Sequence, residues 1–145
     1  MSQRDWDEVT GEVVARLGPG LDTVWSLLEA AEYSTLSLSL VDPSGDVQLS
    51  VAVADLMEAR SELEWIRPEL QFAQQALDLS PDGDGSADEH RTAAAAYLES
   101  SLELIRTVLR DEGGSMSPQE MAGLARVITL ASGAYTRLTG RLVTP

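Results

Sequence analysis

Oxygen-bearing side chains alternate along one short segment of the chain: Asp82, Asp84, Ser86 and Asp88. Such alternation is typical of calcium-binding loops, but an EF-hand loop also requires glycine at its sixth position and glutamate at its twelfth. Counted from Asp82, these positions hold Ala87 and Ala93. The sequence therefore predicts a flexible acidic loop over about residues 80–87. A weak cation site formed by Asp82, Asp84 and Asp88 is the alternative.

Most other catalytic chemistry requires residue types that this chain hardly contains. It has no cysteine and one histidine, His90. One histidine cannot supply the two Glu-x-x-His motifs of a di-iron bundle, and no Gly-x-Ser-x-Gly elbow presents a serine to it. The glycine-rich phosphate-binding motifs are missing as well. We therefore predict a protein without enzymatic activity, cofactor or metal, in which His90 is a solvated residue of a first helical turn.

The net charge of the chain is −14, from 24 acidic and ten basic residues. This charge disfavours direct binding to nucleic acid, whose phosphates require a basic face, and to anionic membrane surfaces. A basic protein partner would instead be attracted, at a rate that falls as salt is added. All ten basic residues are arginine, which is typical of a high-GC bacterial genome.

The first residues of the chain contain no apolar stretch of the kind found in secretory signals. No segment approaches the ~18 consecutive apolar residues that would cross a bilayer. We therefore expect a soluble, cytoplasmic protein.

Helical periodicity is evident in several parts of the chain, where apolar residues recur every three or four positions. The segments cover about residues 4–17, residues from 21 onwards, and about residues 54–77, 88–110 and 118–142. Pro68 is expected to kink or divide the third segment, because proline disrupts a helix interior. The last segment has the strongest start signal, with Ser117 as cap, Pro118 at the first position and Glu120 three residues after the cap.

A period of two replaces the helical period between residues 35 and 53. Leucines alternate with serines from Leu36 to Leu40, and apolar residues alternate again from Val47 to Val53, on either side of a Pro-Ser-Gly turn. This pattern predicts a β-hairpin near residues 35–53. The alternative is that the second helix continues through Leu40, which would give an all-α bundle.

The predicted fold is a single domain over residues 1–145, mainly α, formed by an antiparallel bundle of four to five helices with this one β-hairpin. The last helix contains many small residues, which allow another helix to approach closely. They are Ala122, Gly123, Ala125, Ser132, Gly133 and Ala134. This helix is therefore expected at the centre of the bundle or at a dimer interface.

Three tryptophans could anchor a partner, because tryptophan is enriched at binding hot spots. Trp6 and Trp25 lie on the apolar stripes of their helices, which indicates core positions. Trp65 instead lies between Glu64 and Arg67, next to Pro68. We predict a half-exposed Trp65 as a partner anchor, flanked by Glu64 and Arg67.

These observations favour an acidic interaction protein of the adaptor, inhibitor, immunity or chaperone-like kind, which binds a larger and basic protein partner. The edge of the predicted hairpin could also pair two copies into a homodimer. One alternative is a helical bundle that binds a small ligand in a pocket lined by Phe72, Tyr97, Met121 and Tyr135. A more distant alternative is a metal-dependent enzyme that acts through carboxylates.

Overall fold

The computed structural model describes residues 5–42, 46–72 and 86–141, and the regular structure within these ranges is entirely helical. Five α-helices follow one another: α1 (Trp6–Leu17), α2 (Leu21–Val41), α3 (Asp46–Ile66), α4 (Ala87–Glu112) and α5 (Pro118–Thr139). Two short 3-10 helices follow α3 and α4, at Pro68–Phe72 and Gly113–Ser115. None of the described helices combines the length with the apolar character needed to cross a membrane.

The first helix begins and ends where local signals place its boundaries. The Asp5 side chain accepts a hydrogen bond from the Glu8 backbone N–H at 3.2 Å, which satisfies one of the free donors of the first turn. Gly18 ends the helix with φ 97°, a backbone conformation that disfavours any residue with a Cβ, and donates to the Val14 carbonyl at 2.8 Å.

The predicted start of the last helix is confirmed in full. The Ser117 side chain accepts a hydrogen bond from the Glu120 N–H at 3.1 Å, and Glu120 Oε1 accepts one from the Ser117 N–H at 3.0 Å. This reciprocal pair is a capping box, with Pro118 next to the cap. Glu120 Oε2 also accepts a hydrogen bond from Arg67 at 3.0 Å. The Ser117 N–H and the Arg67 guanidinium both stabilise the ionised carboxylate and lower the pKa of Glu120 from its ordinary value of 4.5.

We expect Glu120→Gln to destabilise the protein at neutral pH, and to do so progressively less as the pH is lowered below about 4.5. The folded-state pKa of Glu120 is lowered, so its contribution is complete above the unfolded-state pKa. It is lost as the pH falls through the folded-state value. Urea unfolding of both proteins across this pH range measures the difference. A difference that stays constant with pH would contradict a role for the ionised carboxylate.

The four long helices form an antiparallel bundle, as predicted. α2 packs along both α3 and α4, and α5 also packs along both α3 and α4. Arg91, near the start of α4, contacts Asp42 at the end of α2 and the carbonyl of Leu138 at the end of α5. Arg67, just after α3, contacts Glu120 at the start of α5. Each pair of neighbouring helices is therefore antiparallel, and α3 ends at the opposite end of the bundle from the start of α4.

The core contains one main set of apolar side chains from all five helices. α1 lies against α4, where Trp6 packs edge-on against Tyr97 with ring centroids 6.1 Å apart and an interplanar angle of 83°. Both rings are buried. The predicted core positions of Trp6 and Trp25 are therefore confirmed.

Arginines connect the helices along their seams. Arg60 of α3 reaches α2, where it binds Glu32 at 2.7 Å and Glu29 at 3.3 Å. On the seam between α3 and α5, Arg126 pairs with Glu58 and with Glu62. The Arg60 group is largely buried, whereas Arg126 is more than half exposed. The same kind of ion pair thus occurs in two different environments.

The predicted β-hairpin is wrong. Residues 35–41 belong to α2 and residues 46–53 belong to α3, so the all-α alternative is the one observed. Leu38 points into the core, while Leu36 and Leu40 point outward. Because leucines occur on both sides of this helix, they alternate with serines in the sequence as they would in a strand. Because these residues are helical, they also provide no strand edge for self-pairing.

Candidate partner-binding surface

Trp65 lies in the last turn of α3 and is 84% exposed. The core face of α3 consists of residues at helical spacing: Leu49, Ala52, Leu56, Ala59 and Leu63. Trp65 is two positions beyond Leu63, about 200° around the helix, so it projects away from the core. Trp6 and Trp25 are only 1% and 5% exposed. Trp65 is therefore more exposed than the predicted half-exposed side chain.

The backbone behind Trp65 is fixed where the helix ends. The Arg67 N–H donates to the Leu63 carbonyl at 2.8 Å, and the chain then turns into the 3-10 helix that begins at Pro68. The α-helix ends before Pro68, as expected of a proline at this position, and residues 73–77 of the predicted segment lie outside the described residues. Leu70 is buried and donates its N–H to the Arg67 carbonyl at 3.0 Å. These contacts hold the last turn of α3, and with it Trp65, at the end of the bundle.

The two predicted neighbours of Trp65 make contacts within the bundle. Glu64 accepts a hydrogen bond from the indole N–H of Trp25 on α2 at 3.3 Å. Arg67 forms an ion pair with Glu120 of α5 at 3.0 Å. Both side chains therefore position α3 against its neighbours, on either side of Trp65, and Trp65 alone projects fully into solvent.

A small open cleft of about 200 Å³ lies beside Trp65, between the end of α3 and the start of α5. Its lining includes Ile66, Glu62 and Gly123. A Cβ atom at Gly123 would lie 2.9 Å from Ile66 Cδ1, so any other residue there would require the Ile66 side chain to shift. Of the small residues noted in α5, Gly123 therefore serves the seam with α3. We call Trp65 together with Glu62, Ile66, Glu120 and Gly123 the Trp65 surface.

Negative charge predominates around the Trp65 surface. Glu62 and Glu120 line the cleft beside the indole, and Glu58, Glu64 and Glu69 lie within seven residues of Trp65 along the chain. The arginines that face them, Arg67 and Arg126, are already paired with three of these carboxylates. A basic partner would therefore meet an exposed aromatic ring bordered by an excess of carboxylates.

A larger open cleft of about 430 Å³ lies where α1, α4 and the end of α5 meet. Two arginines and two acids line it: Arg91, Arg141, Asp7 and Glu99. Several of these groups are occupied within the protein, since Arg91 binds Asp42 and Glu99 accepts the Tyr135 hydroxyl at 2.7 Å. The hydrogen bond to Glu99 and partial burial raise the pKa of Tyr135.

Of the residues predicted to line a ligand pocket, Tyr97, Met121 and Tyr135 do not line this cleft. Tyr97 and Tyr135 are buried in the core, and Met121 is exposed on α5. The side chain of Phe72 lies outside the described residues. The two tyrosines that were predicted to line a pocket are therefore packed in the core instead.

The solvated position predicted for His90 is wrong, because its ring is buried in the first turn of α4. The neighbouring Arg91 connects this turn to the ends of α2 and α5. In the parts of the chain that the structure describes, no three His, Asp or Glu side chains converge as a metal site would require. Asp82 and Asp84, and most of the predicted loop, lie outside those parts.

One carboxyl group in the bundle has a raised pKa. Burial raises the pKa of Asp55, and the nearby Arg137 guanidinium, 3.7 Å away, partly opposes this shift. Asp55 lies on the seam between α3 and α5, where Arg137 also donates to Gln48 at 2.7 Å. Asp55 therefore contributes to the contact between α3 and α5.

Sequence reasoning missed a second group of exposed apolar side chains on α2 and α3, which includes Tyr33, Leu36, Leu40 and Val47. The available signal was the lack of charge in this region. No charged residue occurs from Tyr33 to Val41 or from Val47 to Ala54.

Comparisons of the chain with protein families, with curated proteins and with solved structures find no match.

Proposed function

We propose that this chain is a non-enzymatic interaction protein that binds a larger, basic protein partner through the Trp65 surface. The observation that carries the proposal is the 84% exposure of Trp65 in a chain that buries its other two tryptophans. A tryptophan that the core does not use, held on a firmly capped helix end, resembles the aromatic anchors on which binding energy concentrates.

The charge around the indole supports a basic partner. Glu62 and Glu120 line the cleft beside Trp65, and the whole chain has a net charge of −14. Such a surface attracts a basic partner over distance and disfavours acidic ones. Burial of the indole against an apolar pocket of the partner would then supply the short-range affinity. Adaptor, inhibitor and chaperone-like roles all use this form of contact, and the identity of the partner distinguishes them.

We expect Trp65→Ser to weaken partner binding by at least about 30-fold, which corresponds to a hot spot of about 2 kcal/mol. The wild-type chain is first used as bait in a lysate of its native host, at low and moderate salt. The retained protein is then purified and titrated against wild type and variant. Binding should weaken as salt is added, because the attraction between unlike charges is screened.

Leu40→Ser is the matched control, because Leu40 is also a highly exposed apolar residue but lies at the end of α2, at the opposite end of the bundle from Trp65. It should bind like the wild type. A photo-crosslinking residue at position 65 should capture the partner, whereas the same residue at position 40 should not. Equal binding by wild type and Trp65→Ser, or capture at position 40 only, would refute the proposed surface.

A further inference from the structure

Arginines lie over aromatic rings at two places among the described residues. The Arg60 guanidinium is 5.4 Å from the centre of the Trp25 ring, and the Arg141 guanidinium is 5.9 Å from the centre of the Tyr135 ring. The face of an aromatic ring is negative and attracts a cation, most strongly in tryptophan. Arginine suits this contact because its planar guanidinium can stack on a ring while its N–H groups donate to carboxylates.

The Trp25 contact combines an indole, a carboxylate and a guanidinium. Trp25 and Glu29 are four residues apart on α2, so both lie on one face of that helix. Arg60 comes from the neighbouring helix α3, lies over the Trp25 ring and donates to Glu29 at 3.3 Å. An indole and a carboxylate on one helix face thus hold a guanidinium that another element supplies.

The Trp65 surface has the same indole and carboxylate but no cation in its cleft. Trp65 and Glu62 are three residues apart on α3, and both line the cleft. Glu120 lines it as well, and no described basic side chain does so. Arg67 and Arg126 bind Glu120 and Glu62, respectively, from outside the cleft. The position of a cation beside the indole is therefore open.

One carboxylate oxygen at the cleft has no hydrogen-bond donor among the described residues. Glu62 Oε1 lies 3.0 Å from the Arg126 guanidinium. Its Oε2 lies beside Gly123, 3.9 Å from the position that a Cβ atom there would take. An incoming N–H group would therefore find an acceptor at Glu62 Oε2 without displacing Arg126.

The size and charge of the cleft indicate which group fits it. Its volume is about 200 Å³, whereas pockets for drug-sized ligands usually measure about 300–1,000 Å³. The cleft therefore suits a single long side chain. Two carboxylates in its lining favour a positively charged side chain over a neutral or acidic one. Lysine would supply the charge but not a planar group, so the indole and the carboxylate together favour arginine.

We propose that the partner inserts an arginine side chain into the cleft beside Trp65, where its guanidinium stacks on the indole and donates to Glu62. This inference rests on the proposed function, because it names the group through which a basic partner recognises the Trp65 surface. The contact reproduces, between two proteins, the one that Arg60 makes with Trp25 inside this chain. Apolar groups of the partner cover the rest of the indole.

Two peptides of equal charge test the proposal: hexa-arginine and hexalysine, each blocked at both ends. They are titrated into the isotope-labelled full chain, and the indole N–H signals of its tryptophans are followed by NMR. Hexa-arginine should shift the Trp65 signal and bind there at least about threefold more tightly than hexalysine, because only a guanidinium stacks flat on the ring. Trp65→Ser identifies the signal by its loss, and the signals of the buried Trp6 and Trp25 report that the fold is intact.

Glu62→Gln should abolish the preference for hexa-arginine, because it removes the negative charge beside the indole and keeps the size of the side chain. Glu12→Gln is the matched control. It removes the same charge from an exposed position of α1, a helix that packs on α4 and does not line the cleft. This variant should bind both peptides with the same ratio of affinities as the wild type.

Equal affinities of the two peptides at Trp65 would overturn the proposal, as would a preference for hexa-arginine that Glu62→Gln leaves unchanged. A Trp65 signal that neither peptide shifts would also overturn it. The proposed function fails on a different result, the lack of any protein crosslinked at position 65. A partner captured at that position, together with equal binding of the two peptides, would retain the Trp65 surface and reject arginine as the group in its cleft.

Discussion

Replacement of Arg60 with alanine is expected to destabilise the fold by about 3–5 kcal/mol, because it leaves a buried carboxylate without its partner. Glu32 is only 6% exposed and its Oε1 lies 2.7 Å from the Arg60 guanidinium. The same guanidinium binds Glu29 at 3.3 Å and lies 5.4 Å from the ring centroid of Trp25. The expected loss is a large fraction of the roughly 5–15 kcal/mol that stabilises a typical domain.

Urea unfolding of Arg60→Ala at neutral pH measures this loss. Arg126→Ala is the matched control, because Arg126 also pairs with two glutamates, Glu58 and Glu62, but is more than half exposed. Exposed pairs contribute at most about 1 kcal/mol, so the control should change stability little. Similar losses in both variants would contradict the assignment of Arg60 to a buried pair.

A second variant separates the cost of an unpaired charge from the value of the pair itself. In Arg60→Met with Glu32→Leu, both buried charges are replaced by apolar side chains. Such replacements are often neutral or stabilising by about 1–4 kcal/mol. We therefore expect the double variant to be more stable than Arg60→Ala. A double variant as unstable as the single one would indicate that Arg60 stabilises α2 against α3 mainly through packing.

Trp6→Ala is expected to destabilise the protein by about 3–5 kcal/mol, the usual cost of removing a large buried aromatic side chain. Trp6 is 1% exposed and packs edge-on against Tyr97. It is one of only three buried residues of α1, together with Thr10 and Val13. Its loss therefore removes most of the contact that holds α1 on α4.

Urea unfolding measures the loss of stability, and amide hydrogen exchange locates it. The amides of α1 should lose protection before those of α2–α5, because α1 makes its contacts mainly with α4. Trp65→Ala is the matched control: the same residue type is 84% exposed there, and the change should stay within about 0.5 kcal/mol. Equal destabilisation by both substitutions would contradict the different burial of these two tryptophans.

The sequence alone determined the features that depend on nearest neighbours along the chain. The capping box at Ser117 and Glu120, the end of α1 at Leu17 and the interruption of the helix at Pro68 are all as predicted. Each of these boundaries results from hydrogen bonds or dihedral preferences within a few residues. The predicted class of an antiparallel helical bundle also holds, because sustained apolar stripes allow few other arrangements.

The prediction failed between residues 35 and 53, where apolar residues occur on more than one face of a helix. Leu38 belongs to the core, while Leu36 and Leu40 face solvent, so the leucines alternate with serines although the backbone is helical. Secondary structure is predicted from periodicity on the assumption that apolar side chains are buried, so exposed apolar side chains lead to a wrong prediction. Conflicts of this kind are expected at functional surfaces, and here the conflict coincides with exposed apolar side chains of α2 and α3.

Only the tertiary structure decided how far the side chains of the candidate site are exposed. The sequence placed Trp25 on an apolar stripe and Trp65 beside one, but it did not predict exposed fractions of 5% and 84%. Glu64 and Arg67, which flank Trp65 in the sequence, bind Trp25 and Glu120 on other helices. Exposure depends on which helices pack together and on their relative positions along the bundle axis. Local periodicity identifies the apolar face of each helix, but not the helix against which that face packs.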